Sequence, residues 1–184
     1  TGPGGINAIN GVFGAWTDSV PMMVLSGQVK RATCLATTPV RGLRQLGDQE
    51  SEIIPMVRGI TKYATIVDQP DDIAWHLDQA LHIATSGRPG PAWLDIPIDV
   101  QSATVEPASM RRFLPPHEPD HRASGVELDA LIERLHQARR PVIIAGTGIR
   151  AADASEEFAT LIRRLGIPVT TAWTHDLIAT DDPL

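Results

Sequence analysis

Residues 1–29 read TGPGGINAINGVFGAWTDSVPMMVLSGQV and indicate the class of fold. A helix over residues 5–17 is predicted by apolar side chains that recur at helical spacing: Ile6, Ile9, Phe13 and Trp16. Pro21 marks the end of this helix, because the residue before a proline avoids the helical region. The unbroken apolar run over 22–25 then predicts a strand buried on both faces.

The alternation of helix and strand continues along the first half of the chain. Residues 27–50 are polar and irregular, and a loop of that length in a compact protein is usually functional. The next elements predicted are a strand over 63–67, a helix that begins at Pro70 with Ile73, Leu77 and Leu81 on one face, and a strand over 92–96. Such alternation is typical of a parallel α/β sheet with crossover helices.

A proline-rich change in composition separates the two halves. We predict a first domain over 1–100, a linker over 101–124 that contains Pro107, Pro115, Pro116 and Pro119, and a second domain over 125–184. The second domain is predicted to be a Rossmann-like unit. It begins with a helix that has Leu128, Leu131, Ile132 and Leu135 on one face, followed by a strand over 141–145 and a turn at 146–148. A second helix, with Phe158, Leu161, Ile162 and Leu165, is capped by Gly166 and leads to a strand over 167–170.

Composition and charge exclude several classes of function. The net charge of −6 argues against a nucleic-acid partner, and no apolar run approaches the roughly 20 residues of a membrane-spanning helix. Cys34 is the only cysteine, which excludes an intrachain disulfide and fits a reducing cytoplasm. The chain begins with Thr1 and not with Met, which favours a piece of a longer protein over a processed one.

The glycine-rich start of the first helix has two interpretations. Glycines at 2, 4 and 5 let the backbone approach a ligand closely, and the free N–H groups of a helix start favour an anion or a polar ring. A tight turn between a strand and the helix, with no ligand, explains the sequence of residues 1–7 equally well.

Several motifs together resemble the thiamine-diphosphate-dependent enzymes, especially the large (catalytic) subunit of acetolactate synthase. The pyrimidine-binding domain of that family is matched by Gly-Pro-Gly-x-x-Asn at 2–7, Asp-Ser-x-Pro at 18–21, Gly-Gln-Val at 27–29, Ile-Thr-Lys-Tyr at 60–63 and the Gly-Arg-Pro-Gly-Pro…Asp-Ile-Pro-x-Asp string at 87–99. RPVIIAGTGIRAADASEEFATLIRRLGIPV, residues 140–169, resembles its central domain. The order and spacing of these motifs make the resemblance specific.

The resemblance implies a fold and an activity. The fold is a partial pyrimidine-type domain followed by a truncated Rossmann-like central domain. The activity is the decarboxylation of a 2-keto acid and transfer of the resulting acyl carbanion to a carbonyl acceptor, with thiamine diphosphate as cofactor. In this family the activating Glu lies upstream of residue 1, and a third domain holds the diphosphate and magnesium. The fragment alone is therefore expected to be inactive, and no metal ligand is predicted in it.

The resemblance also assigns roles to particular residues. Pro3, Gly4 and Asn7 match positions that shape the wall around the cofactor pyrimidine, and Gln28 and Gln49 match positions that line the active site. Each role has a structural alternative that remains open. The alternative for Asn7 is a hydrogen bond to the start of the helix, and the alternative for Gln49 is a solvated position in its loop.

Flavin binding is a further expectation from the family. Arg88 matches an arginine that contacts FAD, and Gly146 and Gly148 would face the same flavin from the central domain. Members of the family have also lost flavin, and a bare Gly-x-Gly is a weak signal, so FAD remains open. The active site of the family forms between two chains, which implies a homodimer or homotetramer.

Two departures from the family pattern bear on the substrate. Asp48 replaces the phenylalanine of Phe-Gln-Glu, and Ile98 replaces the lysine of Pro-Lys-Asp. Both favour a 2-keto acid other than pyruvate. Another decarboxylase or hydrolase of the superfamily, and a non-catalytic flavin- or nucleotide-binding module, remain alternatives.

Overall fold

The computed structural model describes residues 2–117, 122–172, 177–179 and 182. The chain divides into two compact units, Thr1–Pro116 and His117–Leu184. The helices and strands are, in chain order, α1 (Gly2–Thr17), β1 (Met22–Gln28), α2 (Ile53–Val57), β2 (Tyr63–Ile66), α3 (Ile73–Thr85), β3 (Pro91–Pro97), α4 (Ile98–Gln101), α5 (Gly125–Gln137), β4 (Ile143–Ala145), α6 (Gly148–Ala151), α7 (Ser155–Leu165) and β5 (Val169–Thr171). Among the described residues, no helix has the length and apolar character of a membrane span.

The first unit is built on a three-stranded parallel sheet of order β1-β3-β2. This confirms the predicted α/β class. Strand β3 lies in the centre, and all its residues except Ile96 are buried. The carboxyl ends of parallel strands meet at one edge of the sheet, and that edge contains Gln28, Ile66 and Pro97.

Helices cover the sheet on both faces. On one face, α3 packs Ala80 and Ala84 against Leu94 of β3. On the other face, α1 and α2 pack around Trp93, which is completely buried. Burial of apolar surface on both sides of β3 is the main stabilisation of this unit.

Several details of the predicted core are wrong, beginning with the apolar stripe of α1, where Ile6 and Phe13 are 46% and 53% exposed. Strand β1 is an edge strand, and Met23 and Leu25 on its α3 side are 40% and 55% exposed, because α3 packs mainly on β3 and contacts β1 much less. Leu81 is 57% exposed, whereas the smaller Ala80 and Ala84 make the contact with the sheet. The position of a strand at the centre of the sheet, and not its hydrophobicity alone, determines whether it is buried on both faces.

The first part of the predicted linker packs on α3. The Arg112 guanidinium makes two hydrogen bonds to the carboxylate of Asp78, at 2.6 and 2.8 Å. Arg111 pairs with Asp72 and stacks on the Trp75 ring, which also meets Phe113 edge-on. Residues up to Pro116 therefore belong to the first unit, and 118–121, with Pro119, lie outside the described residues.

The second unit contains a parallel pair, β4 and β5. Its core contains Ala145, Phe158 and Ile162. Helix α7 ends at Gly166, which adopts the left-handed conformation at φ 60° and confirms the predicted cap. The predicted stripe on α5 does lie on a helix, but Leu128, Leu131 and Ile132 are about half exposed, at 47%, 54% and 50%.

Candidate active site

The glycine-rich turn is fixed by a close approach of two backbone segments. Gly2 is buried with φ at +38°, a conformation that favours glycine. A methyl group at this position would overlap the backbone carbonyl of Gln49. Gly2 is therefore required to seat α1 against residue 49.

The residues that follow present an open face to solvent. Pro3, Gly4 and Asn7 are all exposed, and their spacing puts them on one side of α1. A methyl group at Gly4 would meet no described atom outside its own helix within 4 Å. The first turn of α1 contains no acidic side chain, so the free N–H groups there face no competing carboxylate of the helix itself. Gly4 therefore presents bare backbone on the exposed side of α1.

Gln28 is a buried connector at the carboxyl edge of the sheet. It is 3% exposed. Its side-chain Nε2 donates to the Ser51 carbonyl at 2.9 Å and to Asp95 Oδ2 at 2.8 Å, and its Oε1 accepts from the Val29 N–H at 2.9 Å. The side chain therefore joins β1 and β3 to the segment that contains Gln49.

Asp95 is a polar residue of the site that sequence reasoning missed. It is 1% exposed at the centre of β3, where it accepts hydrogen bonds from Ser26 Oγ at 2.5 Å and from Gln28. Trp93 Nε1 donates to the same Ser26 oxygen at 2.7 Å. Burial raises the pKa of Asp95 above its usual value, although the Ser26 and Gln28 hydrogen bonds oppose the rise. The available signal was a carboxylate in an otherwise apolar strand, Pro-Ala-Trp-Leu-Asp-Ile-Pro.

The loop between β1 and α2 is organised by Glu50. Its carboxylate accepts hydrogen bonds from the backbone N–H groups of Leu35, Leu46 and Gly47. Burial by itself raises the pKa of Glu50, but these donors and the Cys34 thiol outweigh it, so that the pKa lies below its usual value. Burial raises the pKa of Cys34. The two carboxylates that flank Gln49 differ, because Asp48 is exposed and Glu50 is only 8% exposed.

Gln49 lies beside this carboxylate in the left-handed conformation, with φ at 55°. Its side chain is exposed, while its backbone carbonyl backs the Gly2 turn. Residues 49–51 thus connect the Gly2 turn to Gln28, and the structure brings the predicted Gln28, Gln49 and Pro3–Asn7 segments to one region.

A cavity of about 280 Å³ opens next to this region. Its lining includes Gln28, Cys34, Glu50, Glu52, Arg58 and Thr65. The cavity lies at the carboxyl edge of the sheet, where ligands of α/β proteins usually bind.

Arg31 crosses the same edge. Its Nε donates to Asp99 Oδ2 at 2.7 Å, and its Nη1 donates to the Asp68 carbonyl at 2.8 Å. The guanidinium and the Arg31 N–H hold the pKa of Asp99 below its usual value. Arg31 therefore ties together the segments that follow β1, β2 and β3.

Arg88 lies at the opposite, amino-terminal edge of the sheet. Its Nε donates to Ser19 Oγ at 2.7 Å. With Trp16, Thr17, Lys62 and Pro89 it lines a cavity of about 430 Å³. Two cations and an indole ring suit a ligand with a phosphate and an aromatic ring. Arg88 is not part of the region around Gln28.

Gly146 and Gly148 lie in the second unit, at the turn between β4 and α6. Neither has a positive φ, and a methyl group at either would meet no described atom within 4 Å. The turn therefore leaves room for a ligand but does not demand glycine. Among the described residues, no three His, Cys, Asp or Glu side chains are grouped as metal ligands.

Comparisons with known proteins identify relatives. Residues 1–52 match the family described as thiamine pyrophosphate enzyme, N-terminal TPP binding domain, and residues 128–184 match the thiamine pyrophosphate enzyme, central domain. The chain is 34% identical to an acetolactate synthase of Arthrospira platensis over 93% of its length, and 34% identical to a glyoxylate carboligase of Escherichia coli O157:H7 over 97%.

An acetolactate synthase large subunit of Corynebacterium glutamicum is also 34% identical over 93% of this chain. The chain spans 28%, 30% and 26% of these three relatives, less than a third of each. The similarity thus covers both units of the chain but only one part of each relative.

Proposed function

The chain belongs to the thiamine pyrophosphate enzyme family, and on this premise we propose that it supplies the pyrimidine-facing wall of an active site in a longer enzyme. That enzyme decarboxylates a 2-keto acid and transfers the remaining acyl group to a carbonyl acceptor. When bound, thiamine diphosphate supplies the carbon nucleophile and the electron sink for this chemistry.

One observation carries the proposal: the exposed face of Pro3, Gly4 and Asn7, which nothing described in the chain covers at Gly4. The face is held from behind, because Gly2 lies against the Gln49 carbonyl and Gln28 binds the Ser51 carbonyl. A rigid, open surface beside free helix N–H groups fits one side of an aminopyrimidine ring.

In this proposal the residues of the chain bind and orient the aminopyrimidine ring of the cofactor. Pro3 and Gly4 provide a flat surface for the ring, Asn7 offers an amide for a ring nitrogen or amino group, and Gln49 extends toward the substrate. The lowered pKa of Glu50 and its set of backbone donors suit a structural anion and not a proton donor. The acid that activates the ring, and the residues for diphosphate and magnesium, are therefore assigned to other segments of the longer enzyme and to a second chain of a homodimer or homotetramer.

The donor and acceptor are proposed to differ from two molecules of pyruvate. Ile98, where the family often has lysine, is 55% exposed just beyond β3, and Asp48 is exposed in the loop. These side chains give the carboxyl edge a different polarity from that of the family pattern. The fragment by itself is proposed to be inactive, and a cytoplasmic location is part of the same proposal.

A matched pair of glycine substitutions in the longer enzyme tests the site. Gly4→Ala and Gly11→Ala both fall on exposed positions of α1 where a methyl group meets no described atom outside the helix. Alanine in a helix interior stabilises by about 0.5–1 kcal/mol relative to glycine. We expect Gly4→Ala to raise the thiamine diphosphate concentration for half-maximal activity about tenfold or more, since the methyl group occupies the ring surface.

Gly11→Ala, two turns further along the same helix, should leave that concentration unchanged. Titration of activity with thiamine diphosphate gives the comparison, and thermal melts report the helix stability of both variants. Equal cofactor dependence for the two variants would place the ring elsewhere and contradict the proposal.

A flavin is the second candidate ligand, and the cavity at Arg88 favours it. Arg88 and Lys62 would hold its phosphates, and Trp16 would contact an aromatic ring. Flavin absorbance in the purified longer enzyme, lost in Arg88→Ala, is the expected result. A colourless protein that gains no absorbance on incubation with FAD would contradict it.

A further inference from the structure

Asp95 is a buried carboxylate that the proposed chemistry does not use. It lies at the centre of β3 with 1% of its surface exposed. Burying a carboxylate costs free energy unless partners compensate, and unpaired examples are rare. Its two donors are Ser26 Oγ at 2.5 Å and Gln28 Nε2 at 2.8 Å. A carboxyl group in the most buried strand calls for an explanation beyond packing.

The Gln28 side chain connects Asp95 to Ser51, in the segment that precedes α2. The acceptor oxygen Oδ2 of Asp95, the Ser51 carbonyl and the Val29 N–H all require the same orientation of the Gln28 amide, with its NH₂ group toward Asp95. That group donates its second proton to the Ser51 carbonyl at 2.9 Å, while Oε1 accepts from the Val29 N–H. A flipped amide would place oxygen against the acceptors of Asp95 and Ser51, so the observed orientation is the one in which these partners are satisfied.

The segment held in this way is the one that backs the glycine-rich turn. Ser51 lies two residues after Gln49, with the anchored Glu50 between them; the Gln49 backbone is in the left-handed conformation and its carbonyl lies against Gly2. A shift of Ser51 would therefore move Gln49, and with it the start of α1. The connection runs from β3 to the exposed face of Pro3 and Gly4.

We propose that Asp95 is a positioning residue for the coenzyme-facing start of α1, acting through the Gln28 amide and residues 49–51. The inference rests on the proposed function, because it takes Pro3 and Gly4 as the surface that meets thiamine diphosphate. It assigns Gln28 to the support of that surface and gives a role to the Asp of Asp-Ile-Pro.

The test uses Asp95→Asn in the longer enzyme. Asparagine keeps the shape, but it has a single acceptor oxygen and cannot accept from both Ser26 and Gln28 with two oxygens. We expect the half-saturating concentration of thiamine diphosphate to rise at least about fivefold, the equivalent of one hydrogen bond. The KM for the 2-keto acid should change less than about twofold by the same scale. Asp78→Asn, which loses an exposed ion pair to Arg112 on α3, is the control and should change neither value.

A second variant breaks the connection at its other end. Gln28→Met keeps the length of the side chain and should raise the half-saturating concentration by a similar factor. The double variant should show no further rise, because residues that act through one link are not additive. Independent, additive effects would indicate general loosening of the fold and overturn the inference. If Asp95→Asn does not fold, Gln28→Met decides: a rise supports the inference and an unchanged value overturns it.

The outcomes separate this inference from the proposed function. A cofactor effect in Gly4→Ala without one in Asp95→Asn or Gln28→Met overturns the positioning role alone. A wild-type longer enzyme that neither needs nor binds thiamine diphosphate overturns both.

Discussion

Two buried carboxylates in the first unit have opposite electrostatic environments. Asp95 lies in a strand with two donors and has a raised pKa, whereas Glu50 lies under a loop with three backbone donors and has a lowered pKa. Asp95 is the more deeply buried and has the fewer donors, so desolvation dominates there, whereas the donors outweigh desolvation at Glu50. Neither environment is visible in the residue types alone.

Glu50→Gln should therefore weaken the loop around it. An amide has one acceptor oxygen for the donors of Leu35, Leu46 and Gly47, so the free energy of local opening should fall by about 1–3 kcal/mol at neutral pH. Hydrogen exchange of the Leu46 and Gly47 amides in the longer enzyme measures it. Glu52→Gln, at an exposed side chain two residues on, is the control.

The pH dependence follows from the sign of the shift. Because the folded-state pKa of Glu50 lies below the usual value of 4.5, its stabilisation is fully present above 4.5 and is lost as the pH falls through the folded-state value. The wild-type loop should lose protection in that acidic range, and the Glu50→Gln loop should not. Parallel acid profiles for the two proteins would contradict this role.

At the scale of elements, the helix ends follow local chemistry closely. Ser124 and Glu127 form a reciprocal capping box at the start of α5, and Gly166 ends α7. Sequence reasoning identified Gly166 as a cap because glycine after the last apolar residue of a helix is a local signal. By contrast, the exposure of Leu81 and of the α5 stripe depends on which element covers them.

Gly166→Ala should fray the end of α7. At φ 60° a Cβ is strained by about 1 kcal/mol, which corresponds to about fivefold less protection of the last-turn amides in hydrogen exchange. Gly125→Ala, at a position without positive φ and with open space around it, should leave the protection of α5 unchanged or higher. Unaltered protection of α7 in Gly166→Ala would show that this cap is not needed.

At the scale of the whole molecule, the proposed site is one-sided. The face of Pro3, Gly4 and Asn7 has backing from 49–51 but nothing described in front of Gly4. A single wall gives a ligand little buried surface, and small-molecule sites usually enclose most of the ligand. The missing side is proposed to come from other segments of the longer enzyme and from a second chain.

Residues 1–184 alone should consequently bind thiamine diphosphate weakly and show no carboligation. Calorimetry on this fragment and on the longer enzyme under the same conditions makes the comparison. We expect a dissociation constant for residues 1–184 above the micromolar range, since the proposal assigns the other side of the site to further segments. Micromolar affinity in the fragment would contradict a site shared with other segments.

The sequence by itself determined the alternation of helices and strands, the Gly166 cap and the family, but it placed the start of α1 at residue 5, whereas the helix begins at Gly2. The elements and the cap depend on residues close in sequence, through hydrophobic periodicity and the positions of proline and glycine. The family follows from the order and spacing of sequence motifs. Only the tertiary structure decided that β3 and not β1 is buried on both faces, that Glu50 is buried and Asp48 is not, and that Gln28 joins Asp95 to the Ser51 carbonyl. Those outcomes depend on which strand takes the centre of the sheet and on contacts between residues tens of positions apart, which no local pattern encodes.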